Sequence, residues 1–193
     1  KKGEFVFLTG PSGAGKTTIL KILFGWENID KGQVLVKGIN VGKLTHRKIH
    51  SLRRSIGFVF QDYKLLPNKT VFENVSFAQE VVGKDRKTIR FKTWEALKNV
   101  GLTSKKDSYP AYLSGGEQQR IAIARAMVNS PSLILADEPT GNLDPDISIE
   151  ILKLFENLNR GGTTIIFATH SKEMIRLGNH RIINLNRGRI SVD

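Results

Sequence analysis

The chain has 193 residues, no cysteine and a formal net charge of +12 from 30 basic and 18 acidic side chains. That length is one domain's worth, and 39% hydrophobic residues are enough for a packed core, which excludes wholesale disorder. The missing cysteines exclude disulfides, iron–sulfur clusters and thiolate zinc sites, and no apolar run approaches the ~18 residues of a membrane-spanning helix. The positive charge suits nucleic acid, anionic lipid or phosphorylated ligands. It gathers in Lys43–Arg54 and in Lys84–Lys98, which also read as two solvated faces.

In chain order, the first predicted element is an apolar strand, Phe5–Leu8, followed by a glycine-rich turn and a helix over Thr17–Phe24 that stops at Gly25. A second strand is expected at Ile56–Phe60, a third at Leu133–Ala136 and a fourth at Thr163–Ala168. Near-continuous Val, Ile, Leu and Phe over such lengths marks parallel strands buried on both faces. Between Thr70 and about Asn129 the signals are helical and no strand is expected. Thr70 and Glu73 form a capping-box pattern ahead of Val71, Val75, Ala78 and Val82. Phe91, Trp94, Leu97 and Val100 make a second apolar stripe, and a third helix begins near Ser114. Asp144-Pro145 opens a further helix with Asp as N-cap and Pro in the first turn, and Ile147, Ile151, Leu154 and Leu158 follow helical spacing. Strands alternating with helices imply an α/β domain interrupted by a helical insert.

The turn after the first strand, "GPSGAGKTT", carries Gly10, Pro11, Ser12, Gly13, Ala14, Gly15, Lys16, Thr17 and Thr18. Its first eight residues fit G-x-x-x-x-G-K-[ST] in full, with a strand leading in and a helix leading out. The glycines let the backbone curl so that successive N–H groups face an anion, and the helix offers its positive end to the same anion. Lys16 would reach the β and γ phosphates of a nucleoside triphosphate, and Thr17 would give an oxygen to Mg²⁺. A second site follows from the third strand, which ends in Asp137 and Glu138. Ligands sit at strand ends in parallel sheets. Asp137 would hold the metal through water, and Glu138 would polarise the attacking water.

"LSGGEQQR", Leu113–Arg120, reads as a plain capping box between Ser114 and Glu117. Gly115 and Gly116 in its first turn nevertheless cost about 1 kcal/mol each relative to Ala. They make sense where the turn must approach something closely, with its N–H groups and the Ser114 hydroxyl free for phosphate.

Taken together, these motifs resemble the ATP-binding subunits of the ABC ATPase family over essentially all 193 residues. Gly10–Thr17 corresponds to the Walker A stretch, Gln61 in "FVFQD" to the Q-loop and Ser114–Gln118 to the signature. Asp137 and Glu138 correspond to Walker B and the catalytic glutamate, Gly141–Asp144 to the D-loop, and His170 in "FATH" to the switch histidine. The resemblance implies a P-loop NTPase (RecA-like) core with a mostly parallel sheet flanked by helices. It implies one domain over 1–193, in which a helical subdomain at about 68–129 is inserted between 1–67 and 130–193. It implies ATP and Mg²⁺ as cofactors, with Thr17, Gln61 and Asp137 around the metal, Glu138 and His170 in catalysis, and Asp144 both as helix cap and as interface contact. It further implies a head-to-tail homodimer in which the signature of one subunit (Ser114, Gly115, Gly116, Glu117) caps the ATP on the Walker A of the other. Members of the family stack an aromatic residue on adenine from a strand upstream of Walker A. Only nine residues precede Gly10, so an N-terminal strand segment is expected to be missing ahead of Lys1 and nucleotide binding to be weakened.

The short insert between Gln61 and Ser114 disfavours relatives with long coiled coils in that place, and a single cassette disfavours the translation-factor relatives. "DEPTGNLD" with "LSGGEQQR" resembles the group that does mechanical work across the bacterial envelope. Within it "FVFLTGPSGAGKTT", with Ala14, and "IGFVFQDYKLLPNKTVFENVSFA" are most similar to the cell-division ATPases. The alternatives are the lipoprotein-release and macrolide-efflux exporters and, from another class, a nucleic-acid-binding ATPase. The cell-division resemblance implies a separate membrane subunit, other division proteins as further partners, no specific nucleic acid, and a peripheral place on the inner membrane at the division site.

Overall fold

A computed structural model describes residues 1–191 and, of His46, the backbone only. The elements run β1 (Phe5–Thr9), α1 (Lys16–Leu23), β2 (Leu35–Val36), β3 (Ile39–Asn40), α2 (His46–Arg54), β4 (Ile56–Val59), α3 (Val71–Val81), α4 (Arg86–Asn99), α5 (Gly115–Met127), β5 (Leu133–Asp137), α6 (Pro145–Arg160), β6 (Thr164–Ala168), α7 (Lys172–Gly178), β7 (Arg181–Asn186) and β8 (Arg189–Ser191). One six-stranded sheet has the order β4-β5-β6-β1-β7-β8; β2 and β3 pair apart from it. All its pairings are parallel except the terminal β7–β8 hairpin.

Both sheet faces are covered, which explains the continuous apolar strands. Side chains alternate between two cores because successive Cβ atoms leave opposite faces. Phe5, Phe7, Val59, Ile134, Ala136, Ile165 and Phe167 enter one core with α3–α7. Leu8, Ile56, Phe58, Leu133, Leu135 and Ala168 enter the other with α1 and α2. In the first core, Phe167 meets Phe7 and Phe155 edge-on, with ring centroids 5.5 and 5.2 Å apart. All three rings are fully buried, each contributing about 1.5–3 kcal/mol by burial.

Register sets up the chemistry. Leu8 and Asp137 both stand beside Ala168, and Val59 stands beside Ala136. The last residues of β1, β4, β5 and β6 therefore lie in a row, and the loops that leave them open on one edge of the sheet. Among the described residues, the chain between β4 and β5 holds only α3, α4, α5 and short 3-10 turns. These three helices pack on one another, and α5 packs on β4.

Several local expectations need correcting. Helix α1 ends at Leu23, closed by Gly25 N–H donating to Ile22 O (2.9 Å) and Trp26 N–H to Lys21 O (2.8 Å), the Schellman arrangement. Asp144 occupies the N-cap position of α6, yet its side chain makes no capping bond. The most buried positions of α6 are Ser148, Ile151, Leu152 and Phe155, rotated from the predicted stripe. In α4, Leu97 and Val100 are buried, but Phe91 and Trp94 are 59% and 46% exposed. Helical spacing puts the pairs on adjacent strips, and only the outer one lacks a neighbour.

Candidate functional site

The loop from β1 to α1 is shaped by close packing. Gly10 has φ +146°, and a Cβ there would fall 2.1 Å from the Leu185 carbonyl oxygen of β7. Only glycine lets the two backbones approach so closely. The tip of the β7–β8 hairpin supports the same loop, as Gly188 N–H donates to Ala14 O at 2.9 Å. Gly15 precedes α1 at φ +105°; no side chain caps this helix, and its first turn holds no acid. The helix start is left with free N–H groups and the positive end of its dipole. Pro11, Ser12, Gly13, Thr17 and Thr18 are exposed around it.

Lys16 is only 7% exposed. Its ammonium donates to Gly10 O (2.8 Å) and Pro11 O (3.3 Å) and lies 3.4 Å from Glu138 Oε1. The Thr17 hydroxyl donates to Asp137 Oδ1 at 3.0 Å. Burial holds the Asp137 carboxyl above its ordinary range; the Thr17 hydrogen bond opposes this, and the neighbouring Glu138 charge adds to it. Glu138 turns out of β5 with φ +46° and donates its N–H to Ala168 O at 3.0 Å. This tight corner aims its carboxylate back across β6 at Lys16 and at His170, whose Nδ1 lies 2.9 Å from Glu138 Oε1. A pocket of about 170 Å³ opens beside Glu138, His170 and Gly141. Thus the strand-end row brings Lys16, Thr17, Asp137, Glu138 and His170 together, although they are far apart in the chain.

The arrangement fits a magnesium-bound triphosphate. Mg²⁺ takes oxygen ligands, with few carboxylates and the rest from phosphate and water. Thr17 and Asp137 supply two oxygen donors at the mouth of an uncapped helix. Gln61 makes no hydrogen bond to either; its amide lies against Gly141, where a Cβ would be 3.5 Å from Gln61 Nε2.

The signature stretch stands apart. Among the described residues no hydrogen bond or ion pair joins Ser114–Glu117 to Gly10–Thr18. Ser114 and Glu117 form a complete capping box, with Glu117 N–H donating to Ser114 Oγ (3.2 Å) and Ser114 N–H to Glu117 Oε2 (2.9 Å). The two glycines also have a reason inside the chain. A Cβ on Gly116 would stand 2.7 Å from Ile147 Cγ2, and one on Gly115 would stand 3.1 Å from the Tyr63 hydroxyl. Close packing against α6 and the Gln61 loop accounts for them without a ligand, so ligand approach is not their sole cause. Asp144 is exposed, and its carboxylate is uncommitted to the helix it precedes.

Two residues that the sequence did not single out organise the loop after Gln61. Asn74 is fully buried. It accepts from Leu66 N–H (2.7 Å) and donates to Leu66 O, Lys69 O and Thr70 O. Arg125 donates to the carbonyls of Tyr63 and Lys64, both at 2.7 Å. These are the residues whose backbones sit at φ +59° and +48°, so Arg125 holds a strained turn in place. Their signal was present only as a polar residue on an otherwise apolar helix face. A groove of about 390 Å³ runs alongside, from Trp26 and Phe60 to Phe77 and Val81.

Comparison with known proteins identifies the family and the fold. Residues 1–141 match the family model described as ABC transporter. The chain is 52% identical over 191 residues to the cell division ATP-binding protein FtsE of Streptococcus pneumoniae, covering 99% of this chain and 83% of that protein. It is 48% identical over 191 residues to FtsE of Bacillus subtilis, with 99% and 84% covered. The fold superposes with a TM-score of 0.90, at 38% identity, on a dimeric ATP-binding cassette in a post-hydrolysis state bound to ADP and Pi, covering 100% of this chain and 85% of that one.

Proposed function

The chain belongs to the ABC transporter family and is an ATP hydrolase, and from that premise we propose that it is the ATP-driven subunit of an FtsE-type cell-division complex, coupled to a membrane subunit resembling FtsX. The observation that carries the site assignment is the convergence on one sheet edge of Thr17 with Asp137 (3.0 Å) and of Glu138 with His170 (2.9 Å) and Lys16 (3.4 Å).

In this reading the loop Gly10–Thr18 wraps the triphosphate, and Lys16 exchanges the Gly10 and Pro11 carbonyls for phosphate oxygens. Thr17 and Asp137 hold the metal, with Gln61 approaching from the loop after β4. When bound, Mg²⁺ neutralises charge developing on the phosphates. Glu138 orients a water in the adjoining pocket, which has room for several. His170 fixes the glutamate and faces the γ-phosphate.

The second half of the site comes from another copy. Ser114, Gly115, Gly116 and Glu117 close over the triphosphate on the facing subunit, with Asp144 at the contact. Their separation from the P-loop within one chain supports this arrangement, as does the dimeric state of the solved neighbour. Residues 68–129 move as a helical unit during closure. In this reading the groove between Phe60 and α3 takes a cytoplasmic segment of the membrane subunit, and the protein works on the cytoplasmic face of the inner membrane at the division site. No helix among the described residues is long and apolar enough to cross a membrane.

Glu138→Gln tests the assignment. The variant should bind ATP, elute as a stable dimer in ATP and release phosphate at least a hundredfold more slowly than the unsubstituted chain. Hydrolysis at the unsubstituted rate would remove Glu138 from its role.

A further inference from the structure

Helix α4 presents a surface that the ATPase site does not use. Its buried face is Thr93, Ala96, Leu97 and Val100. The opposite strip runs Lys87, Phe91, Trp94, Lys98 at spacings of four, three and four residues, one stripe on a 3.6-residue helix. Arg90 lies one turn before Trp94, and Arg86 lies at the helix start. Phe91 and Trp94 are 59% and 46% exposed, and neither packs on another aromatic ring. They border an open groove of about 1530 Å³ between α3 and α4, with Lys84, Arg86, Lys87 and Arg90 on its rim.

These cations are free among the described residues, since none of Lys84, Arg86, Lys87 or Arg90 lies within 4.0 Å of a carboxylate. The acids that share the groove are engaged elsewhere. Glu73 closes the Thr70 capping box and lies 3.8 Å from Lys69, Asp107 pairs with Lys106, and Glu80 accepts from Ser76 at 3.0 Å. Two large rings kept in water are unfavourable for an isolated surface. A strip of aromatics flanked by Lys and Arg is the pattern of helices that lie in a bilayer interface, with rings at the acyl boundary and cations at the headgroups.

We propose that the Lys84–Lys98 face of the protein binds anionic phospholipid headgroups directly, with Phe91 and Trp94 seated at the membrane interface. The occupant follows from charge and position. The face is cationic, the whole chain carries +12, and α3 is a wall shared with the Phe60–Val81 groove assigned above to the membrane subunit. This contact needs neither nucleotide nor the membrane subunit, so it stands or falls separately from the ATPase reading.

The test is sedimentation of the purified full chain with vesicles of phosphatidylglycerol and phosphatidylcholine against vesicles of phosphatidylcholine alone, without ATP. The chain should pellet with the anionic vesicles, and about 0.5 M salt should release it. Each of Arg86→Gln, Lys87→Gln and Arg90→Gln should weaken binding about fivefold, and Phe91→Ser with Trp94→Ser should weaken it further. All these side chains are exposed, so thermal midpoints and ATP turnover should stay unchanged. In a Trp26→Phe background, Trp94 emission should move to shorter wavelength on anionic vesicles only. The proposal is overturned by equal binding to neutral vesicles, by binding that leaves Trp94 emission unmoved, or by vesicle binding that the substitutions do not weaken. It is also overturned if the same cations bind an oligonucleotide or an acidic peptide while anionic vesicles stay unbound.

Discussion

The sheet edge and the helical stretch between β4 and β5 handle polar groups in opposite ways. At the sheet edge, parallel strands end in one row, which brings Lys16 and His170 to Glu138 and Thr17 to Asp137 within bonding distance. The chain completes this region by itself, and its charges are close and partly buried. In the helical stretch, α5 begins at a capping box that satisfies itself, faces no phosphate loop of its own chain, and leaves Ser114 near the surface. One region gathers charged side chains at the strand ends; the other leaves a self-satisfied helix start at the surface, which we propose a second subunit meets. Physically, charged side chains can be clustered where a sheet edge and a helix start supply compensating groups, whereas a second phosphate-binding turn from the same sheet edge would crowd the first.

The sharpest way to break this contrast is complementation. Lys16→Ala and Ser114→Arg should each abolish turnover, by roughly a hundredfold or more. An equimolar mixture of the two variants should regain a substantial part of it, since mixed dimers hold one intact composite site. A mixture as inactive as its components would mean that Ser114 does not serve a facing subunit. The next largest effect concerns what holds the two regions in register. Asn74→Leu leaves the Leu66 N–H and the Lys69 carbonyl of the loop after Gln61 without their partner, while Leu66 O and Thr70 O keep backbone bonds, and should cost about 2 kcal/mol in chemical denaturation. An unchanged midpoint would show that the loop is held by other contacts.

Acid titration separates the regions further. Burial raises the folded-state pKa of Asp137. The native state then binds more protons than the unfolded state between the two pKa values, and stability falls as pH rises through that window. Asp137→Asn should therefore raise the melting temperature at pH 7, and the gain should disappear below the ordinary value of 3.8, where both states are protonated. A gain constant across pH would assign the effect to packing. The smallest change lies in the helical region. Gln119 is fully buried in α5, with neither amide atom hydrogen-bonded. Gln119→Met should stabilise by about 1 kcal/mol without altering ATP turnover. Destabilisation would mean that the amide has a polar partner.

How far the sequence reached depended on how each element is buried. Strands β1, β4, β5 and β6 were legible, give or take a residue, because both their faces are covered and the apolar run is unbroken. Strand β7 was not, since Asn184 and Asn186 interrupt it and only Leu185 is fully buried; β8 is three residues long. Helix α2 was hidden by its own composition, with four Lys or Arg side chains and, among the described residues, a single buried one, Leu52. The P-loop was legible because its glycines, lysine and threonine are fixed by local geometry, and the capping boxes at Thr70 and Ser114 because they are local hydrogen-bond patterns. The Arg125 clamp, the Asn74 loop bonds and the hairpin beneath Gly10 join residues distant in sequence, and no local pattern encodes them.

By itself, then, the order of residues determined which chemical groups this protein carries and on what kind of element each one sits, because caps, turns and apolar periods act over a few residues. Only the tertiary structure decided that Asp137 meets Thr17, that Glu138 meets both Lys16 and His170, that Phe91 and Trp94 face outward, and that Ser114 does not reach its own phosphate loop. Those outcomes depend on strand register and helix packing, where contacts between distant segments choose among arrangements that local preference leaves equally open.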